Sequence, residues 1–278
     1  MSRGTVFVTG TTTGIGRATA ERLARAGYDV IPGMRRDEPL PDPVRPPVLI
    51  DLGDPDTIGP AAKQVLDRAD GNLVGLVNNA GINVNGPVEM VGLEDWRHQF
   101  EVNLFGHVAL TKELLPALIA NRGRIVTVGS IGGRMSAPFL GPYSASKFAV
   151  RAWMDAMRLE LAPHGVRAVL VEPGAIATPL WEKGTSAGRA RLDEAEPALR
   201  QRYDEQAAGV LRMAAMSESM AIPPDRCAKV IERALTSSHP SGRYLVGTDA
   251  HVQAAIAVLP TRLLDFVTRL ALRQPRAR

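Results

Sequence analysis

Cysteine is nearly absent. Cys227 is the only one in 278 residues, so no disulfide can close within the chain, which suits a reducing, cytoplasmic compartment. The lone thiol reads as a small buried hydrophobe. Aromatic residues make up 5% of the chain, and no basic run is interleaved with them. A stacking surface for nucleic acid is therefore not expected, despite a net charge of +4. Lysine is scarce, and the positive charge rests on scattered arginines, with a short basic tail at Arg273, Arg276 and Arg278. No apolar run reaches about eighteen residues, so no spanning helix is expected. No signal peptide precedes the first strand pattern. His98, His107, His164, His239 and His251 lack metal-ligand spacing and read as structural or solvated. With no repeat and no shift in composition, residues 1–278 read as one domain.

The residues that carry chemistry begin with Tyr143-Ser144-Ala145-Ser146-Lys147, preceded by Ser130. On a helix, positions i and i+4 share a face, so the ammonium lies beside the phenol. A nearby cation favours the phenolate and lowers a pKa that is ordinarily about 10 toward the working range. Ser130 adds a hydroxyl able to bond the same reacting oxygen.

The N-terminus has a second pattern. Thr5-Val6-Phe7-Val8 reads as a strand, Thr9-Gly10-Thr11-Thr12-Thr13-Gly14-Ile15-Gly16 as a glycine-rich turn, and the following residues to Ala26 as a helix. Strand, turn and helix N-terminus in that order make a site for a dinucleotide pyrophosphate. Gly10 permits the tight turn, Gly14 the approach of backbone to phosphate, and Gly16 close helix packing.

With Asn78-Asn79-Ala80-Gly81 between them, these motifs make the chain resemble the short-chain dehydrogenase/reductase family over about its whole length. The resemblance implies a doubly wound α/β fold, with one parallel sheet of about seven strands between helices. It makes Ser130, Tyr143, Lys147 and Asn103 the catalytic group, with Asn103 holding a water that links Lys147 to solvent. The implied cofactor contacts are Gly10, Thr12, Thr13, Gly14, Ile15, Gly16, Asn79, Ala80, Gly81, Tyr143, Lys147, Pro173, Gly174, Ile176 and Thr178. Asp51 and Leu52 would contact the adenine. Tyr143 would exchange a proton with the substrate oxygen while Lys147 tunes it and bonds the nicotinamide ribose. A homodimer or homotetramer through residues 93–120 and 143–162 is also implied.

Cofactor choice turns on the end of the second strand. The family's acidic position falls on Met34, and Arg35-Arg36 follow. Two guanidinium groups suit a phosphate monoester, which favours NADP(H) and leaves NAD(H) open. Thr13 departs from the pattern, because the family's NADP enzymes often carry a basic residue there.

Strands are expected near 5–8, 29–33, 47–51, 73–78, 124–128, 167–172 and 243–246. Helices are expected near 15–26, 55–69, 93–120 and 143–162. Asp54-Pro55 starts one helix and Asn121-Arg122-Gly123 ends another. Pro39, Pro41, Pro43, Pro46 and Pro47 make 36–46 a surface loop. Residues 179–222 read as a helical insertion that covers the substrate. Residues 251–272 read as an amphipathic helix that packs on the body, covers the pocket mouth or makes peripheral contact with a membrane. Ile131, Met135, Phe139, Leu140, Trp181, Met213 and Met216, with Met220, make an apolar pocket. The branch it resembles contains 17β-hydroxysteroid and retinol dehydrogenases and related 3-hydroxybutyrate dehydrogenases. A lipophilic alcohol or carbonyl substrate is expected, the alternatives being a small hydroxy acid or a non-catalytic NADP(H) sensor.

Overall fold

The computed structural model describes residues 3–38, 40 and 44–272. Pro39, Pro41 and Pro43 of the proline-rich loop, and Arg273, Arg276 and Arg278 of the tail, lie outside the described residues. Seven parallel strands form one sheet: β1 (Thr5–Thr9), β2 (Asp29–Met34), β3 (Val48–Leu49), β4 (Leu73–Asn78), β5 (Arg124–Val128), β6 (Arg167–Pro173) and β7 (Arg243–Val246). Their order is β3-β2-β1-β4-β5-β6-β7.

The strand sequences explain the layers. Alternate residues point to opposite faces. Val6, Val8, Val30, Val77, Val126 and Val169 pack with Ala20 and Leu23 of α1 (Gly14–Arg25) and with Cys227 and Ile231 of α8 (Pro224–Thr236). Phe7, Ile31, Leu76, Ile125 and Leu170 pack on the other face. There they meet Val65 of α2 (Pro55–Ala69), Leu114 of α4 (Gly106–Ala120) and Met154 of α5 (Gly141–Leu161). Because both faces are covered, the strands read as continuous apolar runs, which is the doubly wound α/β arrangement. Cys227 is fully buried, as its reading required. Arg22 of α1 ties the outer pair together, reaching Glu232 at 2.5 Å and Asp225 at 3.1 Å on α8.

Local chemistry sets the helix ends. Asp54 caps α2 by accepting from the Asp56 N–H at 3.1 Å, with Pro55 in the first turn. Such a cap is worth about 1 kcal/mol. Several boundaries differ from expectation. The span 93–120 is not one α-helix: α3 (Leu93–Phe100) widens into a π-helical turn at Glu101–Phe105 before α4. The third strand is two residues long, not five. Helix α8 was not among the expected helices. The insertion forms α6 (Pro179–Glu194) and α7 (Pro197–Ser219). The expected helix at 251–272 is instead two helices, α9 (Thr248–Ile256) and α10 (Thr261–Leu272). They are broken at Pro260, which lacks an N–H and clashes with the preceding turn.

Every strand runs the same way, so the loops that follow them gather at one edge. The strand order reverses between β1 and β4, and a crevice opens there.

Candidate active site

The crevice is a cleft of about 540 Å³. Its walls are the β1–α1 turn (Gly10, Thr12, Thr13, Gly14 and Ile15), the end of β2 (Met34, Arg35, Arg36) and Asp51-Leu52. Asn79-Ala80-Gly81 after β4, Ser130 after β5, Tyr143 and Lys147 on α5 complete it, with Pro173, Gly174, Ile176 and Thr178 after β6. These residues, distant in sequence, meet because each follows a parallel strand or opens the next helix. Gly16 does not line the cleft; it lies beneath the turn. A Cβ there would come within 2.1 Å of the Gly10 carbonyl and 2.4 Å of Asn79 Nδ2, so the seating of α1 under the turn requires glycine. Gly10 itself has φ +70, a left-handed conformation that glycine adopts at little cost.

Tyr143 is 3% exposed and Lys147 6%. One turn of α5 separates them. Lys147 Nζ donates to the Val128 carbonyl at 3.1 Å and stands 5.8 Å from the centre of the Tyr143 ring. Burial pushes the Tyr143 phenol up to about 12, and a hydrogen bond with Ser130 partly opposes the rise. Burial brings the Lys147 ammonium down to about 8. This corrects the sequence expectation of a phenol pulled toward neutrality by the lysine. The helix does bring the pair together, but desolvation of the phenolate sets the direction of the Tyr143 shift, with only the Ser130 hydroxyl opposing it. At neutral pH the phenol is therefore protonated.

A polar framework holds the floor of the cleft. Asn103, in the π turn, accepts from the Ile82 N–H at 2.9 Å. Its Nδ2 donates to the Ile82 carbonyl at 3.1 Å and to Ser146 Oγ at 3.2 Å. Asn103 therefore joins the loop after β4 to α5 beneath Lys147 and does not line the cleft. A π bulge is a frequent way of turning such a side chain inward. Thr9 Oγ1 accepts from the N–H groups of Asn79 and Ala80 at 3.0 and 3.1 Å. His107, read from sequence as structural or solvated, is buried and donates from Nε2 to the Ala80 carbonyl at 2.8 Å. Burial lowers its pKa to about 4.

Two further pairs escaped sequence reasoning because their partners are far apart in the chain. Glu172, 1% exposed at the end of β6, receives both arms of Arg134 at 2.8 and 2.5 Å. That pair fixes the segment after Ser130 against the end of β6. Asp249 of α9 accepts from the Ala175 N–H at 2.7 Å, and its carboxylate fills the space a Cβ on Gly174 would need.

The expected apolar pocket is placed differently. Trp181 on α6 lines the cleft and packs edge-on against Tyr143, with ring centres 5.4 Å apart. Ile131, Met135, Phe139, Leu140, Met213 and Met216 do not line it. Phe139 turns to Tyr203 of α7, 6.1 Å away. Met216 and Met220 are more than half exposed. The reason is that α7 gives its small-residue face, Gly209, to Leu272 of α10, and its methionines do not reach the cleft. Trp181 shares the apolar wall near Tyr143 with Ile82 and Leu180.

The family model for short chain dehydrogenase matches residues 4–188. The chain belongs to the short-chain dehydrogenase family. This short-chain dehydrogenase is 40% identical over 181 residues to the uncharacterized oxidoreductase YbbO of Escherichia coli, a match that spans 62% of this chain and 66%, just under two thirds, of that one. It is 34% identical to an NADPH-dependent 3-dehydrocapnine reductase of Ornithobacterium rhinotracheale, over 94% of each chain. Retinol dehydrogenase 5 of Mus musculus is 33% identical over 97% of this chain and 89% of that one. Among solved structures, a short chain dehydrogenase from Burkholderia cenocepacia in complex with NADP superposes with a TM-score of 0.74 at 26% identity, covering 96% and 98% of the two chains.

Proposed function

We propose that the protein is an NADP(H)-dependent oxidoreductase that interconverts a lipophilic alcohol and its ketone or aldehyde, with Tyr143 as the acid. The observation that carries this reading is the buried phenol of Tyr143, whose pKa the Ser130 hydroxyl lowers, one helical turn from Lys147 and lining the cleft. The dinucleotide fits the residues present. The Gly10–Gly14 turn offers backbone N–H groups at the start of α1 for the pyrophosphate, and Arg35 and Arg36 stand exposed on the rim for a 2′-phosphate. Asp51 and Leu52 face the adenine end, and Ile176 and Thr178 the nicotinamide end. When bound, the cofactor supplies or accepts the hydride.

The chain's own residues do the rest. Ser130 orients the carbonyl oxygen, and the neutral Tyr143 phenol donates its proton to that oxygen. Lys147 stabilises the phenolate left behind. Ile82, Leu180 and Trp181 exclude water and take the apolar body of the substrate. The related reductase and retinol dehydrogenase support both halves of the reading, cofactor and lipophilic substrate. Helix α6 is the lid. Exposed Phe105 and Phe148, near α4 and on α5, suit assembly into a homodimer or homotetramer. Leu263, Phe266 and Leu270 are exposed along α10 with Arg262 and Arg269 beside them, which suits peripheral contact with a membrane surface. No described helix is long and apolar enough to cross a membrane. Oxidation of NADPH against NADH, followed at 340 nm with 2-decanone, decanal, retinal and a steroid ketone, tests the proposal. Turnover with NADPH and an apolar carbonyl is expected; turnover confined to small hydroxy acids, or none at all, contradicts it.

A further inference from the structure

The turn that carries Ser130 is gripped from more than one side. Ser130 caps a single 3-10 turn, Ile131–Gly133, by accepting at Oγ from the Gly132 N–H at 3.0 Å. The Ser130 carbonyl accepts from the Gly133 N–H at 2.9 Å, and the Ile131 carbonyl from the Arg134 N–H at 2.9 Å. One lone pair of the Ser130 hydroxyl is thus committed to the turn, which leaves its proton to point elsewhere. Gly132 lies between that hydroxyl and the phenol. A Cβ there would stand 3.4 Å from Ser130 Oγ and 3.2 Å from the Tyr143 ring. Gly133 sits on the backbone of α5, where a Cβ would come within 2.7 Å of the Lys147 carbonyl. The turn has no slack toward α5.

Arg134 grips it from the other side. Its guanidinium crosses to Glu172 with two hydrogen bonds, at 2.8 and 2.5 Å, and the two side chains are 20% and 1% exposed. A paired fork of this kind fixes direction as well as distance. Glu172 belongs to β6, which is tied to the root of the turn by the Gly129 N–H donating to the Val171 carbonyl at 2.8 Å. Neither Arg134 nor Glu172 lines the cleft, although Pro173 and Gly174, the next two residues, do. As a source of stability a buried ion pair is weak, because its desolvation costs about as much as its attraction returns, and a well-packed apolar pair does as well. What an apolar pair cannot supply is direction.

We propose that Arg134 and Glu172 are positioning residues, which hold the Ser130 hydroxyl against the Tyr143 phenol so that both groups meet one substrate oxygen. The proposal rests on the oxidoreductase reading and adds to it two residues that act through Ser130 from outside the cleft.

The test separates position from stability. Arg134→Met leaves Glu172 buried without its partner, and the thermal midpoint of the full-length protein is expected to fall by about 6–12 °C. Arg134→Met/Glu172→Leu removes both charges and is expected to melt within about 3 °C of the wild type, or above it. Single-turnover oxidation of bound NADPH by decanal is nonetheless expected to be about 100-fold slower in both variants. In a Ser130→Ala background, itself slowed by about 100-fold or more, the same double substitution is expected to cost no more than about twofold further, since no hydroxyl is left to place. Hydrogen exchange at the Gly132 and Gly133 amides, both bonded to Ser130, supplies a readout without turnover. It is expected to quicken by about tenfold in the double variant, while the amides of β5 keep their rates. A single-turnover rate that returns together with stability overturns the proposal and leaves the pair a structural contact. So does a loss that adds in full to that of Ser130→Ala, or unchanged exchange at Gly132 and Gly133. If the wild type does not oxidise NADPH with decanal, the oxidoreductase reading is the one that fails, and the exchange rates still decide whether the pair holds Ser130.

Discussion

Acidification should loosen the site through one histidine. His107 is 2% exposed on α4 and holds the Ala80 carbonyl, so it fixes the turn that carries Asn79, Ala80 and Gly81. Its pKa falls from 6.5 to about 4, chiefly because the imidazolium cannot be hydrated there, with the charge of Lys147 adding to the effect. The unfolded chain therefore binds a proton that the folded chain refuses between pH 6.5 and about 4. Stability present above 6.5 is lost as the pH falls through that window. The whole shift corresponds to about 3 kcal/mol, and some 2 kcal/mol of it is already gone at about pH 5. Other groups titrate in the same range, so the informative quantity is a difference. Urea unfolding of the wild type and of His107→Gln, each at pH 7.5 and pH 5, isolates it. The wild type is expected to lose about 2 kcal/mol more than His107→Gln on going to the lower pH. Parallel losses in the two proteins would refute the reasoning, since they would mean that His107 is not held neutral by the fold.

Three other perturbations follow from the same geometry. Glu172→Gln takes the counter-charge and one of two hydrogen bonds from Arg134 at the end of β6, and a loss of about 3 kcal/mol in urea unfolding is expected, with part recovered in Glu172→Gln/Arg134→Gln; no loss would show the pair to be dispensable. Arg35→Ala/Arg36→Ala removes both cations from the rim, and the KM for NADPH should rise by about 10- to 30-fold while that for NADH stays put; equal effects on both cofactors would place the 2′-phosphate elsewhere. Asp249→Ala takes the acceptor from Ala175 N–H, and the dissociation constant for NADPH, measured by calorimetry, should weaken by roughly tenfold.

The sheet was legible because buried parallel strands carry their own signature. Val6-Phe7-Val8, Leu76-Val77 and Val169-Leu170-Val171 are apolar on both faces, and short loops leave little freedom in joining them. The cleft was legible for a related reason: Gly10, Asn79, Ser130 and Pro173 each follow or flank a strand end, Tyr143 opens the helix that follows β5, and parallel strands deliver their ends to one edge. What the sequence did not disclose depends on contacts between distant segments. Nothing near Glu172 in the chain points to Arg134, and nothing near Gly174 points to Asp249. The methionines of α7 have helical spacing, but which face of that helix meets the cleft is decided by Gly209 packing on α10. The sign of the Tyr143 shift was missed for a different reason. Sequence spacing supplies the neighbouring charge but not the degree of burial, and at 3% exposure burial wins.

The central claim is that Tyr143 is the proton donor. Single-turnover oxidation of bound NADPH by a carbonyl substrate, compared between the wild type and Tyr143→Phe, tests it most directly. Loss of the proton donor should slow the step by about a thousandfold, while the dissociation constant for NADPH changes by no more than about twofold, since the phenol oxygen adds little to cofactor affinity. A Tyr143→Phe protein that binds NADPH and turns over within about tenfold of the wild type would contradict the account and move the proton to another group.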